Sequence, residues 1–187
     1  MESLINFCSQ FSVLDNSSIE ALKNCSYEIK EFKKGELILR ENSHCNYFYF
    51  ITKGLAKMCF TSEEKEFIMR FFPEHILFTN LESYASKKAS KYKFVALENT
   101  SLLRISSNNF ETLCLKHHSL ETFYRKFMTL ANLNMMERIS EMLEEDASNR
   151  YENFTKKFPQ LVQRISLGDL SSYLGITQVS LSRIRAK

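Results

Sequence analysis

The stretch Ser166–Lys187, SLGDLSSYLGITQVSLSRIRAK, decides how the chain is read. It reads as a helix, a tight turn and a second helix of the kind that enters a DNA groove. Leu170, Leu174, Ile176, Leu181 and Ile184 are its apolar positions. On two helices crossing steeply, all of them point inward. Ser171 falls where the helices come closest, so a small residue is needed there. Gly175 follows Leu174, where the chain must turn left-handed at little cost to glycine. Ser166 can cap the first helix, with Asp169 three residues on, and Thr177 can cap the second. The outer face of the second helix carries Gln178, Ser180, Ser182, Arg183 and Arg185, donors and cations suited to phosphates and base edges. Pro159–Lys187 holds four basic residues and one acidic one, a net charge of +3, and the whole chain is also +3. Its cationic excess therefore falls on this segment, as a nucleic-acid footprint would.

Upstream of this segment, Ala147–Phe158 reads as a helix ended by Pro159. Before it, Ser119–Leu143 carries a long helical pattern: Leu120, Phe123, Phe127, Leu130, Leu133, Met136, Ile139 and Leu143. Met128, Ala131, Met135 and Met142 add apolar residues on a second side. A helix with two apolar faces needs two partners, its own domain and the same helix of a second chain. A helix of about 25 residues is about 37 Å long, more than a small β domain can easily surround.

Farther upstream the pattern becomes strand-rich. Tyr27–Phe32, Leu37–Leu39, Tyr47–Ile51, Leu55–Phe60, Glu66–Phe72, Phe94–Leu97 and Ser101–Ile105 are strand candidates, with turns at Lys33–Glu36 and Thr52–Gly54. Many short strands at near-regular spacing indicate a sandwich or barrel. Helical patterns flank them at Leu4–Cys25 and Asn108–His118. The expected fold is α+β: an antiparallel, jelly-roll-like β-roll sensor domain (1–118), a dimerisation helix (119–145) and a helix-turn-helix domain (146–187).

Composition narrows the function classes. Phe is abundant at 16 and Trp is absent, so the core should be Phe-rich. No apolar run approaches the roughly 18 residues that span a bilayer. The N-terminus has no basic leader before an apolar run, so a signal peptide is not expected. Cys8, Cys25, Cys45, Cys59 and Cys114 are widely spaced with no CxxC pair, as expected of buried, reduced thiols in a cytoplasm. His44–Cys45 and His117–His118 are poor chelates, because adjacent side chains diverge. No metal site is expected. G-x-S-x-G, P-loop and GxGxxG motifs are absent, and no H-x-H pair marks a cupin-like metalloenzyme. Enzymatic activity is therefore not expected. A ligand-binding β-roll acting through protein contacts is the alternative to a DNA-binding regulator. The polar, cationic face of Thr177–Arg185 favours DNA, since a protein-docking face more often exposes large apolar residues.

The order of elements, with these motifs, resembles the Crp/Fnr family of bacterial transcription regulators. Phe32-Lys33-Lys34-Gly35-Glu36-Leu37-Ile38 is similar to the first turn of that family's sensor domain. Phe48–Lys57 is similar to the hairpin that follows, and Ala96–Thr100 with Leu103 to the strand pair that closes the roll. Leu174-Gly175-Ile176-Thr177 with Ser180–Arg185 resembles the recognition-helix signature. The resemblance implies a homodimer that binds double-stranded DNA, is cytoplasmic, contacts no membrane and has RNA polymerase as a further candidate partner. It implies that Arg183 reads bases and that Gln178 and Ser180 contact bases or phosphates. Ser182, Arg185 and Lys187 are then phosphate contacts, and Thr177 opens the helix. Many relatives continue into a small β wing. The sequence given ends at Lys187, so no flanking wing contact is expected.

Cyclic-nucleotide sensors of this family hold the ribose with a glutamate and the phosphate with an arginine, beside a glycine. Thr79 falls at the glycine, Asn80 at the glutamate and Ser90 at the arginine. The clustered cysteines of iron–sulfur members are also absent. Haem would require His44 or His75 as an axial ligand. No cofactor is expected, and cyclic AMP is not expected as effector. An effector, if any, should be more apolar, in a pocket drawn from Phe71, Phe72, Phe78, Asn80, Tyr84 and Lys91. Those aromatics could equally be core.

Overall fold

A computed structural model describes residues 1–186. Two short helices, α1 (Glu2–Ser9) and α2 (Asn16–Asn24), precede strands β1 (Glu28–Phe32), β2 (Leu37–Leu39), β3 (Tyr47–Lys53), β4 (Ala56–Ser62), β5 (Lys65–Phe72) and β6 (Leu77–Phe78). A one-and-a-half-turn helix, α3 (Leu81–Ser86), leads to β7 (Lys93–Ala96) and β8 (Thr100–Ser106). Helices α4 (Ser107–Lys116), α5 (His118–Glu144), α6 (Ala147–Lys157), α7 (Leu167–Leu174) and α8 (Gln178–Arg185) complete the chain. The strands form two antiparallel four-stranded sheets, ordered β1-β8-β3-β6 and β2-β7-β4-β5. The expected antiparallel roll with flanking helices is present.

Why β3 reads as an unbroken aromatic run is now clear. Successive strand residues point to opposite faces. Tyr49 and Ile51 face the roll interior, with Phe72, Phe78 and Phe94. Phe48 and Phe50 face a second core, built with α1, α4 and α5. Both faces are covered, so all four residues are buried. The expected Phe-rich core is real on both sides. Inside the roll, Phe72 stacks on Phe78 at 4.2 Å between ring centroids, and Phe94 meets Phe78 edge-on at 5.2 Å. Outside it, Phe7, Phe11, Phe123 and Phe127 form a cluster whose ring centroids lie 5.4–6.1 Å apart. Such tilted aromatic pairs each add about 0.5–1.5 kcal/mol beyond burial.

The edge strand β1 departs from its sequence pattern. Ile29 is 73% exposed although it is the strand's one aliphatic residue. Phe32 packs towards the roll interior instead. The pairing Ile29↔Leu103 with β8 sets that register.

Helix α5 has two characters. Leu120 and Phe123 near its start are buried against the roll. Farther along, Leu133, Met136, Ile139 and Leu143 are exposed, Leu143 by 80%. The C-terminal helices α6–α8 do not build a core of their own. Phe154, Leu161, Leu170, Leu174 and Leu181 pack on Leu55, Cys59, Ile68 and Phe71, on the outer face of β4 and β5. A unit this small buries too little apolar surface alone, and the sheet supplies the rest.

Candidate functional site

The two C-terminal helices are set by caps and one glycine. Ser166 Oγ accepts from the Asp169 N–H at 3.0 Å and starts α7. Gly175 ends it with φ +70, the left-handed conformation that glycine adopts without strain. Its N–H and that of Ile176 both donate to the Ser171 carbonyl. Ser171 is buried at the crossing, and its hydroxyl donates to the Gly168 carbonyl at 2.9 Å. Thr177 Oγ1 accepts from the Ser180 N–H at 3.1 Å and starts α8. Leu170, Leu174 and Leu181 are buried, and Ile176 and Ile184 are half-buried.

The expected DNA-contact residues are not equivalent. Gln178, Ser182, Arg183 and Arg185 are exposed on α8. No carboxylate among the described residues forms an ion pair with either arginine. The hydroxyls of Thr177 and Ser180 are 2.9 Å apart and bond to each other, so the cap engages both. Lys187 lies outside the described residues. Val179 is exposed beside the arginines.

Two of this segment's charges, one of each sign, are paired with the roll. Arg164 donates to both Glu74 oxygens, at 2.9 and 2.7 Å, and to both Glu98 oxygens, at 2.9 and 2.8 Å. Asp169 accepts from Lys57 at 2.7 Å. Arg164 is thus neutralised by the roll, and among the described residues of this segment the cations left free are Arg183 and Arg185.

These pairs fasten the helices to the sheet. Lys57, buried on β4, also binds Glu66 of β5. Burial alone would lower the Lys57 pKa, but its bonds to Asp169 and Glu66 outweigh that and raise it. The hydrogen bonds from Arg164 pull Glu74 down to about 2. Glu74 also accepts from the Gly54 N–H at 2.9 Å. Gly54 has φ +97, and a Cβ there would lie 2.6 Å from Thr100 Oγ1, so only glycine fits this turn.

The six expected pocket residues are not brought together. Phe72 and Phe78 fill the roll core. Phe71 points the other way, towards Phe154 and Tyr173, at 6.2 and 5.3 Å between centroids. Tyr84 packs on Phe48 at 5.1 Å. Lys91 is exposed, with its ammonium over the Tyr92 ring. Asn80 is buried, and both ends of its amide are bonded. Its Oδ1 accepts from the Ser83 N–H at 2.8 Å, and its Nδ2 donates to Ser90 Oγ at 2.6 Å. Ser90 Oγ in turn donates to the Tyr92 carbonyl and accepts from the Tyr92 N–H. The two positions aligned with the family's nucleotide anchors therefore bond to each other. Thr79 is likewise tied, donating to the Tyr47 carbonyl at 2.9 Å.

Lys57, Glu66, Glu74, Glu98 and Arg164 escaped the sequence reading. For Lys57 and Glu66 the available signal was that charged residues on half-buried strands need partners. All five cysteines are free, and burial pushes the Cys8, Cys59 and Cys114 thiols up to about 12. No group of three or more metal-ligating side chains occurs among the described residues.

The family model for the cyclic nucleotide-binding domain matches residues 29–117. No curated protein matches the sequence. Among solved structures, FixK2 from Bradyrhizobium japonicum is similar with a TM-score of 0.75 and 18% identity, over 86% of this chain and 83% of that one. The c-di-GMP-responsive global regulator CLP from Xanthomonas campestris gives 0.72 and 13%, over 92% and 90%. A transcriptional regulator of the Crp/Fnr family from Eubacterium rectale gives 0.69 and 13%, over 91% and 82%. Residues 29–117 thus match the cyclic nucleotide-binding domain, and the chain as a whole shares its fold with these solved structures.

Proposed function

We propose that this chain is a sequence-specific DNA-binding transcription regulator that works as a homodimer, with α8 as its recognition helix. The observation that carries this reading is the surface of α8. It is capped, anchored by Leu181 and presents Gln178, Ser182, Arg183 and Arg185 outward, with neither guanidinium in an ion pair among the described residues. A guanidinium can bind the O6 and N7 of guanine together in the major groove. Arg183 is assigned that role, while Ser182 and Arg185 hold phosphates and Gln178 and Ser180 contact base or phosphate. Lys187 is assigned a phosphate contact from the sequence alone.

The exposed face of α5 supports the dimer. Leu133, Met136, Ile139 and Leu143 leave apolar surface that a second α5 would cover. Two reading heads then face half-sites one helical turn, about 34 Å, apart. No helix among the described residues is long and apolar enough to cross a membrane, in keeping with a cytoplasmic regulator. The bonded Asn80–Ser90 pair supports a sensor that has lost the cyclic-nucleotide chemistry.

Selection from a random duplex library, followed by binding titrations, tests the reading. A recurring motif should emerge, and Arg183→Ala should weaken it by about 1–3 kcal/mol and relax one position. Equal losses on selected and random duplex would overturn the assignment of Arg183.

A further inference from the structure

Helix α5 starts in the core of the roll, and its far end grips the turn between α7 and α8. Arg138 donates to the Tyr173 carbonyl and to Glu141 at 2.6 Å, and its guanidinium lies over the Tyr173 ring at 4.1 Å. One turn further along α5, Met142 closes on Gly175: a Cβ there would lie 2.9 Å from the Met142 methyl. Arg150 of α6 donates to the Leu174 carbonyl at 3.0 Å. It also donates to the carbonyl of Glu145, the residue that ends α5, at 2.5 Å.

The last carbonyls of a helix have no partner within it, and cations are favoured beside them. At the end of α7 they are taken up from three sides. The Ser171 carbonyl accepts from Gly175 and Ile176, that of Tyr173 from α5 and that of Leu174 from α6. A guanidinium is a rigid planar fork, so few orientations of α7 satisfy both arginines. Leu170, Leu174 and Leu181 bury α7 and α8 in one core, so holding the turn also holds α8. At 3.6 residues per turn, Arg138 lies about 100–160° round α5 from Leu133, Met136, Ile139 and Leu143. The exposed stripe and the grip on the turn therefore occupy different sides of one helix.

We propose that Arg138 and Arg150 are positioning residues that fix each recognition helix to the dimer helix, so that the protein accepts its two half-sites at one spacing only. The spacing is then set by protein geometry rather than by a pliable link. This consequence rests on the function proposed above, whereas the grip on the turn does not.

The test compares the unmodified full chain with Arg138→Met in two measurements. The first is binding to the selected duplex and to the same duplex with one base pair inserted between the half-sites. The insertion shifts one half-site by about 3.4 Å and turns it by about 35°. The unmodified chain should lose at least tenfold in affinity and the variant less than threefold, while the variant still dimerises and still prefers the selected half-site sequence. Arg150→Met should act in the same direction. Arg138→Lys, which keeps the charge but not the fork, serves the same test if the methionine variant fails to fold. The second measurement is amide hydrogen exchange without DNA. Exchange at Gly175 and Ile176 should rise at least fivefold in the variant, with Leu120–Phe123 unchanged. Equal spacing penalties in both proteins, or an unmodified chain that tolerates the insertion, would overturn the positioning role. Unchanged exchange at the turn would overturn the grip itself. Faster exchange in a chain that selects no duplex sequence would keep the grip and count against the proposed function.

Discussion

Arg164 and Glu74 are joined by two parallel hydrogen bonds, Nη1 to Oε2 at 2.9 Å and Nη2 to Oε1 at 2.7 Å. One residue lies in the link between α6 and α7, and the other in the turn after β5. Arg164 is also bidentate to Glu98, so a single guanidinium neutralises two carboxylates of the roll. Together with Lys57–Asp169 and the shared apolar core, this fixes the orientation of α7 and α8 relative to the sheet.

Arg164→Ala should therefore destabilise the protein, because it leaves two carboxylates side by side without a cation. The groups are partly exposed, so solvent screening tempers the loss to about 1–2 kcal/mol. The pH dependence has a definite sign. Glu74 is held at about 2, below its ordinary 4.5, so its contribution is fully present above pH 4.5 and is lost as pH falls towards 2. Acid unfolding followed by circular dichroism should be steeper for the unmodified chain than for Arg164→Ala in that window. Identical acid profiles would show that the pair does not couple folding to protonation.

Ser90→Ala should cost about 1–3 kcal/mol, since the buried Asn80 amide then loses its acceptor. Cyclic AMP should not stabilise either protein. Without the arginine and glutamate anchors, the nucleotide loses charge-assisted bonds worth roughly 1.5–3 kcal/mol each, about a thousandfold in affinity for two. Thermal melts with millimolar cyclic AMP check this, and a rise of several degrees would contradict it.

The β character of β3 and the caps Ser166 and Thr177 were legible because each rests on neighbours within a few residues. Helix α5 was legible from its period alone, within one residue at its start. The two-residue β6 and the short α3 lay below any periodic signal. The partners of Arg164 were hidden for a different reason. They lie 66 and 90 residues away in sequence, and only the docking of the C-terminal helices on the sheet brings them near. Phe71 and Phe72 are neighbours on β5 and point to opposite faces, which keeps Phe71 out of the expected pocket. Loss of the nucleotide anchors was visible at Asn80 and Ser90, but their bond to each other was not.

Ile139→Glu places a charge in the exposed stripe of α5. Because Ile139 is 46% exposed, the fold should tolerate it. Association should not, since an unpaired charge at the centre of a helix–helix seam is strongly unfavourable. Sedimentation equilibrium should give a dimer for the unmodified chain and a monomer for the variant, with unchanged helical content. A variant that remains dimeric would place the interface elsewhere.

The most direct test of a dimeric DNA reader is the stoichiometry on its own selected duplex. Sedimentation velocity of the labelled duplex with the full chain should show two chains per duplex. It should occupy two inverted half-sites about 10 base pairs apart between centres, and scrambling either half-site should weaken the complex. One chain per duplex, or equal binding to a fully scrambled sequence at physiological salt, would contradict the account.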